Sequence, residues 1–298
     1  MKILYLYDID NWAIHNVGKL WFENVKQHEI VFKNFFEVQD EKKIYINFDL
    51  IWFGYIDLYL FSKEKPKNSI VSIHDPKEIF DQVPNWKKTL PNKDKIDILR
   101  TVFKCVTISR ELFTILTKYG IDVEHIPTAS RLPYRDTLKV FTEKSDITSV
   151  FQVYRRKNPD LMYSLQQKVV NELNIKFDLK VGRDILTRTK YIKYLDSHEI
   201  YICTSYQEGG PIPVMDAMNR GMVILSTPVG QVLELVEDGV NGFFCYSFDD
   251  FYNKIQMLSE DLILLDSMRQ NAIATIKSKR SLSIIDQKVD IVINKFYR

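Results

Sequence analysis

Cysteine is scarce and scattered: Cys105, Cys203 and Cys245 are the three in 298 residues, each in apolar surroundings. No Cys-x-x-Cys pair exists, which argues against a metal knuckle or a dithiol redox pair and favours a reducing compartment. Long hydrophobic runs are missing too. The longest, Leu50 to Phe61, is interrupted by Asp57 and falls short of the ~20 residues that span a bilayer. The first residues, Met1 to Tyr7, lack the basic start and small-residue cleavage site of a signal peptide. A soluble, cytoplasmic protein is therefore expected. Excess charge is absent: 41 Lys plus Arg stand against 39 Asp plus Glu, a net charge of +2, so nothing demands a polyanionic partner. No fixed-period repeat and no low-complexity tract occurs. Alanine is sparse beside abundant Lys, Ile, Asn, Phe and Tyr, a bias that describes an AT-rich source rather than a function.

The length exceeds the usual range of one domain, and the 45% hydrophobic and 27% charged fractions are those of a globular chain. Apolar bursts alternate with amphipathic stretches. Strands are expected at Lys2–Tyr7, Leu50–Tyr55, Ser69–Ile73, Cys105–Ile108 and Val123–Ile126. Helices are expected over Asn11–Gln27 and between Ser109, a cap, and Gly120. The pattern lapses from Thr128 to Asp146, where a linker is placed. It resumes with strands Thr148–Val153, Phe177–Val181, Ile200–Cys203 and Val223–Ser226, and helices Pro159–Leu173, Thr187–Leu195 and Pro213–Arg220. From Phe248 onward the chain reads as helices only, the last over Ser283–Phe296. Such alternation predicts right-handed crossovers and mostly parallel sheets in two tandem α/β units, with ligands at the carboxyl ends of the strands.

The stretch Thr204–Gly242 carries the chemistry. A strand ends at Cys203, and a loop with Glu208, Gly209, Gly210 and Pro211 leads into a helix. The two glycines let backbone approach a ligand closely, Pro211 and Pro213 stiffen the entry, and the first helical amides form an anion site. Glu208 and Asp216 add carboxylates that accept hydroxyls. Phosphate plus polyol is what a nucleotide sugar presents. A Gly-Gly-Pro loop alone is more often a plain strand-to-helix turn, with Asp216 on a solvated face. The longer pattern adds Thr204-Ser205, the acid eight residues beyond Glu208, Ala217-Met218, Gly221, Thr227, Gly230, Glu234, Asp238-Gly239 and Gly242.

Over these forty residues the chain resembles the donor-binding region of family-4 glycosyltransferases. The resemblance implies an α/β fold of the GT-B type, with two Rossmann-like domains facing a central cleft and a C-terminal helical tail. Residues 1–130 would be the acceptor domain, 131–147 a linker, 148–282 the donor-binding domain, and 283–298 a helix packing back on the first domain. It implies a retaining, metal-independent transfer from a nucleotide diphosphate sugar, the donor substrate, with no cofactor. By register Glu208 would contact donor-sugar hydroxyls and Asp216 the ribose, one methylene shorter than the family's Glu, while Gly209, Gly210 and Pro211 would line the diphosphate.

Growing charge on that diphosphate needs a metal or fixed cations. The Arg155-Arg156-Lys157-Asn158 turn matches the family's Lys at Lys157. The family's Arg position holds Gln152, so Arg155 or Arg156 would substitute, with Arg155 backed here; a solvated basic turn is the alternative. His74 ends a strand, where relatives use a His near the reaction centre; a local turn with Asp75 explains it equally. Trp12, His15 and Gly18 stand where relatives bind the acceptor. Asp8-x-Asp10 imitates a metal motif, but helix capping by Asp10 is preferred. The segment between Val181 and Ile200 is shorter than in relatives. The acceptor stays open among glycan, lipid, protein and modified nucleic acid, including a hydroxymethylated DNA base in a virus. A decayed, non-catalytic sugar-nucleotide binding subunit is the alternative of a different class.

Overall fold

The computed structural model describes residues 1–41, 43–81, 89–138, 146–151, 153–181 and 186–296. The chain divides into two compact units, one of Met1–Ala129 with Leu282–Arg298 and one of Ser130–Ser281.

The first unit is built from β1 (Lys2–Tyr7), α1 (Ala13–Trp21), β2 (Glu29–Asn34), α2 (Phe35–Val38), β3 (Leu50–Phe53), α3 (Ile56–Phe61), β4 (Ser69–Ile73), α4 (Lys93–Leu99), β5 (Lys104–Thr107), α5 (Arg110–Lys118) and β6 (Val123–His125). Its six strands pair in parallel in the order β2-β1-β3-β4-β5-β6. A parallel sheet is covered on both faces, so its strands are continuous apolar runs. Leu4, Leu6, Ile51, Phe53, Val71 and Ile73 fill one side. Ile3, Tyr5, Trp52, Ile70 and Val106 fill the other, with Leu20 and Trp21 of α1. Full burial of each such side chain is worth about 1.5–3 kcal/mol.

The second unit holds β7 (Ile147–Phe151), α6 (Pro159–Lys168) continued by a π-turn at Val169–Leu173, β8 (Phe177–Val181), α7 (Arg188–Asp196), β9 (Ile200–Cys203), α8 (Ile212–Asn219), β10 (Val223–Ser226), α9 (Val232–Leu235), β11 (Gly242–Phe244), α10 (Phe248–Glu260) and α11 (Leu262–Arg280). The parallel sheet runs β11-β10-β9-β7-β8. The last helix, α12 (Leu282–Lys295), belongs to the first unit and buries Ile285, Val289, Val292 and Ile293 at helical spacing in its core.

Strand order reverses between β7 and β9: the chain leaves β7 toward β8 on one side and β9 toward β10 on the other. Loops that diverge at such a switch point leave a crevice at the strands' carboxyl ends, the usual ligand site of open α/β sheets. In the first unit the same reversal falls between β1 and β3.

Four differences from the expectations have physical reasons. The first helix is shorter than Asn11–Gln27, because Asn11 takes positive φ and Trp12 is the N-cap. Asp10 does not cap it; its carboxylate accepts the Tyr7 hydroxyl at 2.7 Å, and the cap has no side-chain bond. The apolar run Leu50 to Phe61 is a strand plus the separate helix α3, broken at Gly54-Tyr55. The edge strand β2, missing from the expected set, has the half-buried pattern EIVFKN rather than an apolar run. Among the described residues no helix is long and apolar enough to cross a membrane.

Candidate active site

Two loops meet at the switch point of the second unit. After β7, the segment Arg155–Lys157 forms one 3-10 turn, and Asn158 takes the left-handed conformation that turns the chain into α6 at Pro159. After β9, residues 204–211 lead to α8. Thr204 joins the loops: its hydroxyl donates to the carbonyls of Lys157 (2.9 Å) and Asn158 (3.3 Å). The Tyr206 amide donates to the Arg156 carbonyl at 2.7 Å. The basic turn is thus part of the same construction as the Glu208 loop.

Glu208 is the centre of this construction and is only 5% exposed. Its Oε1 accepts from the Ser205 hydroxyl at 2.6 Å and from the Lys157 ammonium, and its Oε2 accepts from Arg156 at 3.0 Å. Arg156 also donates to the Gln207 carbonyl at 3.2 Å. Burial pushes this carboxyl up, but the Lys157 and Arg156 charges outweigh it and hold the group below the usual carboxylate range. The result is an ionised, immobilised carboxylate between two cations. Of the two arginines Arg156 makes this pair, while Arg155 is exposed on the same turn. Gln152, at the position of the family's Arg, lies outside the described residues, as do residues 182–185 of the short segment before β9.

Beside this cluster are unused donors. Neither Gly209 nor Gly210 has positive φ, so backbone angle does not demand glycine there. Helix α8 starts at Ile212, one residue before Pro213, and has no side-chain cap. Pro211 and Pro213 have no N–H. Among the described residues the amides of Gly209, Gly210 and Ile212 make no hydrogen bond, which leaves three backbone donors at a helix N-terminus. Gly230 supports the loop from behind at φ +48°, where a Cβ would stand 2.3 Å from the Gly209 carbonyl oxygen. A cavity of about 20 Å³, room for one water, is lined by Ser149, Lys157, Tyr201, Ser205, Glu208 and Pro211 among others.

Asp216 lies on α8 and is buried, not on a solvated face. Ser130 donates to its Oδ1 at 2.5 Å and Tyr191 to its Oδ2 at 3.2 Å. Burial raises its pKa to about 6, against the two hydroxyls and the charge of Arg188. Ser130 and Tyr191 were not foreseen, because nothing in their local sequence marks them as partners of a residue 25 or 86 positions away.

The first-unit candidates are placed differently. His74 directly follows β4 and is buried; its ring bonds from Nε2 to the Gly54 carbonyl at 2.8 Å, and Trp21 stacks at 5.8 Å. Burial pushes its pKa down to about 4, against the Gly54 bond, so the ring is neutral with Nε2 as donor. The turn after it belongs to Asp75 and Glu78, which form a capping box. His15 stacks on Tyr7 at 3.8 Å and accepts the Asn11 amide on Nδ1 at 3.0 Å. Burial and the Lys19 charge lower its pKa, against Asp10. Gly18 lies inside α1, where a Cβ would meet the Tyr5 ring at 2.4 Å, so packing excludes a larger residue. Trp12 is half-buried at the start of α1. Asp8 follows β1, and its Oδ1 is buried with no hydrogen-bond partner among the described residues. Among the described residues no group of three or more His, Cys, Asp or Glu side chains could hold a metal ion.

Comparison with known proteins covers the same region. Residues 185–275 match the family model described as "Glycosyl transferases group 1". An uncharacterized glycosyltransferase of Haemophilus influenzae is 30% identical over 126 residues, 40% of this chain; the match spans about a third (34%) of that relative's length. Among solved structures, Anabaena HepE in complex with UDP-glucose aligns with TM-score 0.71 at 14% identity, over 99% of this chain and 100% of that one. Sucrose-phosphate synthase of Thermosynechococcus elongatus aligns with TM-score 0.74 at 12% identity, over 99% of both chains. TarM of S. aureus, in a complex containing UDP, aligns with TM-score 0.66 at 18% identity, over 84% of this chain and 55% of TarM. At these identities the structural likeness establishes the fold. The chain has the α/β fold of the GT-B glycosyltransferases and carries a group 1 glycosyl transferase segment that includes the Glu208 loop and α8.

Proposed function

We propose that the chain is a glycosyltransferase that moves a sugar from a nucleotide diphosphate sugar to an acceptor hydroxyl, with retention of configuration and without a metal ion. The observation that carries this reading is the ionised Glu208, fixed by Lys157, Arg156 and Ser205 beside the unpaired amides of Gly209, Gly210 and Ile212. A carboxylate held in one orientation accepts sugar hydroxyls. Two cations and three amides supply the opposite charge that a departing diphosphate requires, at fixed positions and without solvent reorganisation. That arrangement can take the place of a metal ion.

In this reading Lys157 and Arg156 divide their bonds between Glu208 and the phosphate oxygens once donor is bound. Asp216 meets the ribose side with Ser130 and Tyr191, and His74 keeps the role near the reaction centre that the family resemblance gives it. The second unit is the donor half, and the first unit, with Trp12, His15 and Gly18, forms the acceptor half. HepE and TarM were solved with uridine diphosphate or its glucose ester, which supports a uridine nucleotide as the first donor to try.

The test is thermal stability against a panel of nucleotide sugars, followed by nucleotide release with and without chelator. A ligand at a hundred times its dissociation constant adds ~2.7 kcal/mol of stability. A shift by one nucleotide sugar, and release of its nucleotide diphosphate in EDTA with the product anomer unchanged, are expected. No shift across the panel overturns the reading. Turnover that stops in EDTA and returns with manganese overturns metal independence, and an inverted product overturns retention.

A further inference from the structure

We propose that Arg280 is a positioning residue for the Gly209–Gly210 loop, acting through Gln231 and resting on the donor-site reading above. Arg280 is the last residue of α11, one residue before the chain passes from the second unit to the first at Leu282. It is 6% exposed. Its Nε donates to Gln231 Oε1 at 3.2 Å and one terminal nitrogen to Glu234 Oε2 at 2.9 Å, while the other donates to the Lys279 carbonyl at 3.0 Å. A planar fork can hold an amide and a carboxylate together; an ammonium cannot match that geometry.

The held residue continues into the site. Gln231 is fully buried, and its amide donates to the Gly209 carbonyl at 2.9 Å. The residue before it, Gly230, lies against the same loop, with an ideal Cβ position 2.3 Å from the Gly209 oxygen and 2.4 Å from the Glu208 oxygen. No side chain cushions this backbone contact, so a shift of Gln231 is passed to Gly209 directly. Lys279 adds a bond to the Glu234 carbonyl at 3.0 Å, which fixes the short helix α9 from the same direction. Arg280 itself does not line the cavity beside Glu208. Gly230 and Glu234 both stand in the motif read from the sequence, and this brace accounts for them. A buried guanidinium–carboxylate pair is a poor way to gain stability, since apolar residues of equal volume do as well or better. Its use here fits placement of a loop whose amides must meet phosphate within a fraction of an ångström.

Three variants test this: Arg280→Met, Gln231→Met and Gln231→Glu. The readouts are amide hydrogen exchange in the ligand-free protein and calorimetric affinity for uridine diphosphate. Arg280→Met and Gln231→Met are expected to speed exchange of the residue-231 backbone amide, which donates to the Gly209 carbonyl, and to weaken binding, each by about tenfold. Gln231→Glu keeps an acceptor for Arg280 and should restore both to within about twofold of the parent, a rescue that loss of packing alone does not predict. If Arg280→Met does not fold, Gln231→Met decides, because it leaves the Arg280–Glu234 pair intact. Folded Met variants with parental exchange at the residue-231 amide overturn the proposal, as does faster exchange spread evenly over the second unit. If the parent itself binds no nucleotide, the donor-site reading fails while the exchange measurement still decides the brace.

Discussion

Glu78 and Glu208 are equally buried glutamates, 6% and 5% exposed, and each serves the carboxyl end of a central parallel strand. They differ in what faces them. Glu78 accepts backbone amides only, from His74 (2.8 Å), Asp75 (2.9 Å) and Ile56 (3.4 Å). Burial raises its pKa to about 8, against those amides, so it is largely protonated at neutral pH. Glu208 faces an ammonium and a guanidinium and stays charged. Burial decides how costly a charge is; only a partner of opposite sign decides whether the charge is kept. After β4 the first unit thus places two neutral groups tied to backbone, His74 and Glu78. After β9 the second unit places fixed charge beside unpaired amides.

Removing the partner is the largest way to break the contrast. Lys157→Met leaves Glu208 buried with Arg156 alone. Transfer is expected to fall by at least about a hundredfold, and stability by about 3 kcal/mol in urea unfolding. Unchanged turnover would remove Lys157 from the site.

Next is pH. A carboxyl whose folded pKa lies above its unfolded value binds its proton more tightly when folded. The Glu78 contribution is therefore full below the usual carboxylate range and declines as pH rises toward about 8, by about 1.4 kcal/mol per unit. Glu208, with its pKa lowered, works in the opposite sense: its contribution is present above the usual range and is lost as pH falls through the folded value. Glu78→Gln should make the decline shallower than the parent's, since Asp216, raised to about 6, and Glu199, raised to about 7, contribute in the same sense, and should leave the acid limb in place, as read by unfolding free energy at a series of pH values. A decline as steep as the parent's in this variant would refute the assignment.

Smaller effects separate the two halves further. Gly230→Ala forces a Cβ onto the Gly209 carbonyl and a side chain into positive φ; it should cost about 1–3 kcal/mol and weaken donor binding together. Gly18→Ala meets the Tyr5 ring instead and should cost about 1–3 kcal/mol without changing donor affinity. The smallest expected effect is Arg155→Ala, within about 0.5 kcal/mol for an exposed side chain. Arg156→Ala on the same turn should weaken donor binding measurably, and calorimetry on the pair of variants distinguishes them.

Buried parallel strands are the easiest elements to read, because a strand covered on both faces must be apolar at every position. Lys2–Tyr7, Ser69–Ile73, Ile200–Cys203 and Val223–Ser226 are found with the bounds their sequences suggest, and the half-buried edge strand Phe177–Val181 is found by its alternation instead. Edge and short strands such as Glu29–Asn34 and Gly242–Phe244 are not legible this way, since one side faces solvent or the run is too brief. Capping by Asp10 was a sound local inference overtaken by a neighbour: the Tyr7 hydroxyl claims that carboxylate.

Local order alone therefore determined the tandem α/β pattern and the strand-to-helix loop that carries Glu208 and Gly209-Gly210, because each depends on residues close along the chain. Tertiary structure alone decided that Arg156 rather than Arg155 pairs with Glu208, that Asp216 is engaged by Ser130 and Tyr191, and that Glu78 is neutral while Glu208 is charged. Those outcomes depend on which distant dipoles and charges surround a buried group, and that neighbourhood exists only once the chain has folded.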